Sequence, residues 1–196
     1  MVKKIIIALV LSAVILVGCS NGTGSEDKSA ADLTNEGWQS YSVHDYQAAL
    51  SKFAEAIDKD GSYADAYNGA GWANAKSDNL SAAITSFSDG VARSALLMDL
   101  RAGIAFVYNA QKNYALSNQF ANQVFQTSPT WVFTHDRSIS IADLRLLAAE
   151  NYFALANYSE SLHQVQLIEP SFGAEIATLA GQRILAQEIE RLKLVI

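Results

Sequence analysis

Few side chains in this 196-residue sequence have both the type and the spacing to do chemistry. Cys19 is the only cysteine, so no disulfide can form within the chain. The three histidines, His44, His135 and His163, are far apart, and none stands in a paired metal spacing such as HxxxH. No GxSxG, phosphate-cradling glycine loop or CxxC occurs. Carboxylates such as Glu55 with Asp58, or Glu188 with Glu190, fall on polar helix faces, where solvation accounts for them. These residues argue against an enzyme, and they call for no metal and no cofactor. Binding chemistry is better represented. Trp38, Trp72 and Phe106 recur at a spacing of 34 residues, and so do Asp65 and Asp99. Large amphipathic rings at exposed sites favour recognition, because they give much contact area for little conformational entropy.

The same spacing runs through the positions that must hold those rings. Gly37, Gly71 and Ala105 form one series, and Tyr46, Leu80 and Tyr114 a second. Ala49, Ala83 and Ser117 form a third, and Ala56, Gly90 and Val124 a fourth. A period of 34 is one helix–turn–helix unit of a solenoid. From Asp32 onward the pattern is helical, with proline only at Pro129 and Pro170, and no stretch alternates in the manner of a strand. Helix pairs are expected over about 30–63, 64–97, 98–129 and 138–169. Tyr158 comes 44 residues after Tyr114, which puts an insert of about ten residues at 130–139. A last helix over 171–195, after Pro170, would cap the stack.

The alternation of small and large residues resembles the tetratricopeptide repeat. The resemblance implies an all-α fold, a right-handed solenoid of about four helix pairs with a C-terminal capping helix. It also implies protein–protein interaction, with the inner face of each first helix lining a concave groove. Carried over to this sequence, one groove column reads Trp38, Trp72, Phe106 and Glu150. A second reads Tyr41, Ala75, Asn109 and Phe153, and a third Ala31, Asp65, Asp99 and Asp143, with Asn68 and Lys76 on the same face. The aromatic column would suit an extended peptide or, alternatively, a glycan stacked on Trp38, Trp72 and Phe106. The aspartates would suit a neutral or basic ligand, or simply serve the helix dipole. Only Lys76 is basic there, unlike family members that hold a peptide C-terminus with Lys, Arg and Asn. In the insert, His135, Asp136 and Arg137 follow Trp131 and Phe133. It is expected at one edge of the scaffold. There it would carry specificity, or Asp136 would cap the next helix while the two rings fill the space Pro129 leaves.

The N-terminus has a separate logic. Lys3 and Lys4 precede an apolar run, Ile5 to Val17, too short for a membrane span of about 20 residues but suited to a signal-peptide core. Its end, Leu16-Val17-Gly18-Cys19, resembles the lipobox of bacterial lipoproteins. That resemblance implies cleavage before Cys19 and a covalent lipid on its thiol. Ser20 resembles the outer-membrane-directed version, with the domain facing the periplasm in a Gram-negative cell. Residues 19–30, rich in Ser, Gly and Asn, read as a flexible tether to a domain over 31–196. The whole chain carries a net charge of −6, and removal of the two lysines lowers it to −8. That balance excludes a typical nucleic-acid binder and leaves the lipid as the only membrane contact. The expected partner is an envelope protein or peptide, and the sequence sets no oligomeric state.

Overall fold

The structure, a computed structural model, describes residues 27–196. The apolar run, Cys19 and most of the expected tether lie outside the described residues. Among the described residues there are nine helices and no strand beyond an isolated bridge. They pair in sequence: α1 (Ala30–Ser42) with α2 (Tyr46–Lys59), α3 (Ala64–Lys76) with α4 (Leu80–Arg93), α5 (Met98–Ala110) with α6 (Tyr114–Thr127), and α7 (Ile141–Ala154) with α8 (Tyr158–Gln166). The final helix, α9 (Leu179–Leu192), stands alone. Each pair packs on the next, and α1, α3, α5 and α7 also touch in succession, so the first helices share one face.

Every pair is closed by the same turn. His44, Asp78, Lys112 and Ala156 take left-handed backbone, with φ of 65°, 60°, 60° and 56°. The next residue, Asp45, Asn79, Asn113 or Asn157, is the N-cap of the second helix, and Tyr46, Leu80, Tyr114 or Tyr158 begins it. The Asp45, Asn113 and Asn157 side chains accept from the N–H groups of Ala48, Leu116 and Glu160, which the helix itself leaves without partners. Left-handed backbone is costly for an L-residue, because its Cβ crowds the following carbonyl. Short polar side chains tolerate it better, and Ala156 has none.

Two phenylalanines join the pairs. Phe53 of α2 lies against Gly37 of α1 and Gly69 of α3, and Phe87 of α4 lies against Gly71 of α3 and Gly103 of α5. Both rings are fully buried. A Cβ on Gly37 would stand 2.5 Å from the Phe53 ring, and one on Gly69, Gly71 or Gly103 would also collide. In the later pairs the small position opposite is a serine. Ser117 donates its hydroxyl to the Ala105 carbonyl (2.7 Å), and Ser161 donates to that of Ala149 (2.8 Å).

Helix α9 covers the last pair, with Leu185, Ile189 and Leu192 packing on Leu146, Ala149 and Val165. It starts at Leu179 and not at the expected Ser171. Phe172 and Ile176 are drawn into the same apolar cluster as irregular chain, and Thr178 supplies the N-cap by accepting from the Gly181 N–H. A second departure lies between α6 and α7. Phe133 donates to the Ile139 carbonyl (2.9 Å) and Ile141 to that of Trp131 (2.8 Å), with a bridge between Val132 and Ser140. This is a narrow antiparallel hairpin, where no alternating stretch was expected. Ser140, in a capping box with Asp143, caps α7. Asp136 does not, because it accepts instead from the backbone and hydroxyl of Ser138.

Phe53→Ala is expected to lower the unfolding free energy by about 3–5 kcal/mol. Ala156→Gly is expected to raise it by about 0.5–1 kcal/mol, since glycine adopts left-handed backbone without the Cβ clash. Urea denaturation of both variants measures each change.

Candidate functional site

The hairpin does not stay at an edge. It turns back onto the face shared by the first helices. Along its first arm the side chains alternate: Trp131, Phe133 and His135 point inward, while Val132 and Thr134 are exposed. Phe133 is fully buried, with ring centroids 5.8 Å from Trp38 of α1 and 4.5 Å from Trp72 of α3. His135 stacks on Trp38, its centroid 3.7 Å away and its plane tilted by 11°.

The aspartates receive the polar groups. Asp99, at the start of α5, is 2% exposed and accepts from the Trp131 indole N–H (2.7 Å) and the Thr134 backbone N–H (3.3 Å). Asp65, at the start of α3, accepts from the Trp38 indole N–H (2.9 Å) and the Asn68 amide (3.0 Å). His135 Nε2 lies 3.2 Å from the same carboxylate. A carboxylate only accepts, so Nε2 carries the hydrogen. Burial opposes the Asp65 charge, but the bonds from His135, Asn68 and Trp38 outweigh it and hold its pKa below the usual carboxylate value.

Several expectations need correction. Trp38 and Trp72 are 7% and 4% exposed, so they form no open ladder, and Phe133 and His135 occupy the space a stacked glycan would need. Phe106 stays half-buried beside Trp72. Asp143 is taken up by the α7 capping box. Glu150 pairs with Lys193 beyond α9 (2.7 Å). Asn109 donates to Asn151 (2.7 Å), which in turn donates to Ser117 and Asn118. Tyr41 is buried, and burial pushes its phenol pKa up. Phe153 packs on Tyr158, with centroids 5.1 Å apart. Lys76 and Arg137 are exposed. The bonds from Ser138 keep the acid of half-buried Asp136 below its ordinary pKa. Among the described residues no three or more His, Cys, Asp or Glu side chains gather as a metal site, and no helix is long and apolar enough to cross a membrane.

Open space remains beside the hairpin. A cleft of about 270 Å³ is lined by Trp72, Lys76, Leu80, Phe106, Ile139 and Asp143 among others. A second, of about 360 Å³, lies where Asn109, Glu150 and Phe153 face Ile189 and Lys193. Two signals for this arrangement were present in the sequence. Trp131-Val132-Phe133-Thr134-His135 has the period of a strand, and Gly69 and Gly103 are a further pair at the 34-residue spacing.

No protein-family model matches the chain, and no curated protein sequence does. Solved structures match well. The chain is similar to YrrB, described as a tetratricopeptide repeat protein with an unusual peptide-binding site. The TM-score is 0.66 and the identity 15%, over 84% of this chain and 86% of that one. The fold is that of the tetratricopeptide repeat. PilF of Pseudomonas aeruginosa aligns with a TM-score of 0.62 at 15% identity, over 83% of this chain and 68% of its own. The first tetratricopeptide domain of Spaghetti (RPAP3), bound to an HSP90 peptide, aligns at 0.57 and 13%, over 65% and 94%. At these identities the likeness concerns the fold alone. In tetratricopeptide terms, the hairpin separates the third repeat from the fourth and fills the inner face of the first three.

Asp65 sets a pH dependence. Its folded pKa is depressed, so its stabilisation is complete above the unfolded aspartate value of about 3.9 and is lost as pH falls through the folded value. Asp65→Asn is expected to cost about 1–3 kcal/mol at neutral pH. The gap between variant and unsubstituted chain should close as the solution is acidified below that window. A gap that stays constant in urea titrations down to strongly acidic pH would show that the Asp65 charge does not matter.

Proposed function

We propose that this chain is a bacterial lipoprotein, anchored through lipid on Cys19, whose repeats act as a protein–protein interaction adaptor in the cell envelope. It would hold an extended segment of a partner along the inner face. The observation that carries this reading is the hairpin itself. The inner face already receives an extended arm, holding its alternate side chains against indole rings and its N–H donors on the carboxylates of Asp99 and Asp65. The HSP90 peptide bound to the Spaghetti (RPAP3) domain and the peptide-binding site described for YrrB support the same use. The face is apolar with acidic acceptors, which favours a neutral or basic segment over an acidic tail.

The anchor rests on Leu16-Val17-Gly18-Cys19 and on the shortness of the apolar run before it. Two or more acyl chains give stable attachment, since each buried methylene contributes about 0.8 kcal/mol. Ser20 favours the outer membrane, with the repeats in the periplasm. Binding, not catalysis, is the work this layout suits.

Photo-crosslinkers placed at Lys76 and Phe106, in the open cleft, should capture a defined envelope protein in living cells. Failure to capture any protein from these positions would overturn the adaptor reading. Cys19→Ser should abolish incorporation of labelled fatty acid, and a retained label would refute the anchor.

A further inference from the structure

The repeat spacing exposes a mismatch at Asp99. In the first repeat step, the Trp38 indole N–H reaches Asp65, 27 residues on. Trp72 and Asp99 are the equivalent pair, each 34 residues further along and also 27 apart. That bond is not made. Asp99 is occupied by the Trp131 indole and the Thr134 amide, and the buried Trp72 Nε1 finds no acceptor among the described residues. A buried donor without a partner is costly, and native structures rarely leave one. The hairpin has therefore taken an acceptor that the repeat itself would otherwise use.

We propose that the 131–141 hairpin is the resident ligand of the inner face and is exchangeable. It yields to a partner segment that presents two aromatics two residues apart, followed two residues later by an imidazole or ammonium donor. This rests on the adaptor reading above and specifies its ligand. The partner chemistry is copied from the present occupant: Trp131 on Asp99, Phe133 between Trp38 and Trp72, and His135 on Trp38 and Asp65. Opening is eased because Asp99 does not become a bare buried carboxylate. As Trp131 leaves, Trp72 can donate to it in the geometry Trp38 already shows with Asp65. The bond from the Phe133 N–H to the Ile139 carbonyl holds the two arms together as they lift, and the bond from Ile141, at the start of α7, to the Trp131 carbonyl marks the hinge. Being tethered at both ends, it competes at a high effective concentration, which sets a threshold a partner must exceed.

Hydrogen exchange of the unsubstituted full-length chain decides the matter directly. The Thr134 amide is expected to exchange through a local opening that leaves the α3 and α5 amides protected. Exchange only together with those helices would make the hairpin permanent core and overturn the proposal. Trp131→Phe removes the competing indole donor. It should speed Thr134 exchange by about tenfold or more, as expected for loss of a hydrogen bond to a charged acceptor. It should also move the Trp72 indole proton resonance downfield as that group gains Asp99. An unmoved Trp72 resonance in this variant would sink the exchange of partners. A synthetic peptide of residues 129–141 should bind a Phe133→Ala chain at least about tenfold more tightly than the unsubstituted one. Equal binding would count against exchangeability. If Phe133→Ala fails to fold, the exchange measurement still decides. Local opening without a captured envelope protein would refute the adaptor and keep the exchangeable hairpin, whereas a captured protein without local opening would do the reverse.

Discussion

The structure depends on two aromatic rings pressed into glycine slots. Phe53 and Phe87 each touch two backbones at once, from the first helix of their own repeat and from that of the next. No residue with a Cβ could hold either side of the slot at that distance. The slot fixes how closely α1, α3 and α5 approach, and hence how their inner faces line up. It also places the groove walls. Trp38 and Trp72 directly follow slot glycines, and each lies edge-on to the ring in its slot, at 5.2 Å from Phe53 and 5.8 Å from Phe87. The rings that hold the repeats together are thus the backing for the rings that hold the hairpin.

Asp65 and Asp99 show one residue type meeting two demands. Each stands in the first turn of its helix, where free N–H groups and the helix dipole favour a negative charge. Each also takes donors from outside that helix. A carboxylate as buried as Asp99 needs such donors, because desolvating an unpaired charge is prohibitive. Helix start and hairpin therefore stabilise one another. At these two positions the acidic column is neither a purely local helix signal nor a free surface for ligand, whereas Asp143 serves only the start of its own helix.

Much of this was legible in the sequence. The 34-residue spacing located the helix pairs because close packing of repeats demands small residues at fixed intervals. The large turn residues Tyr46, Leu80, Tyr114 and Tyr158 marked the second helices because each follows an Asp or Asn at the N-cap. The insert was visible as a delay between Tyr114 and Tyr158, but its destination was not. A loop's direction is set by the acceptors and rings it finds in three dimensions. The alternation from Trp131 to His135 is too brief to stand out against a helical background. The late start of α9 was hidden for a similar reason. Pro170 announces a break, but only the burial of Phe172 and Ile176 shows that the chain remains irregular until Thr178 can cap a helix.

Stacked repeats normally touch only their neighbours, so that such a protein unfolds like a zipper and its ends fray first. The hairpin changes that topology. It is held covalently between α6 and α7, yet it reaches α1 through Trp38 and α3 through Asp65, a residue 70 positions earlier in the chain than His135. While the hairpin is seated, the N-terminal pair cannot open without giving up contacts to a segment that follows the third repeat. Distant sequence contacts of this kind slow folding, since loop-closure entropy must be met before they form. They also merge nearest-neighbour steps into one transition. While it is seated, the segment that fills the groove ties the opening of the first two repeats to that of the third, and each time it lifts the array returns to neighbour-by-neighbour coupling.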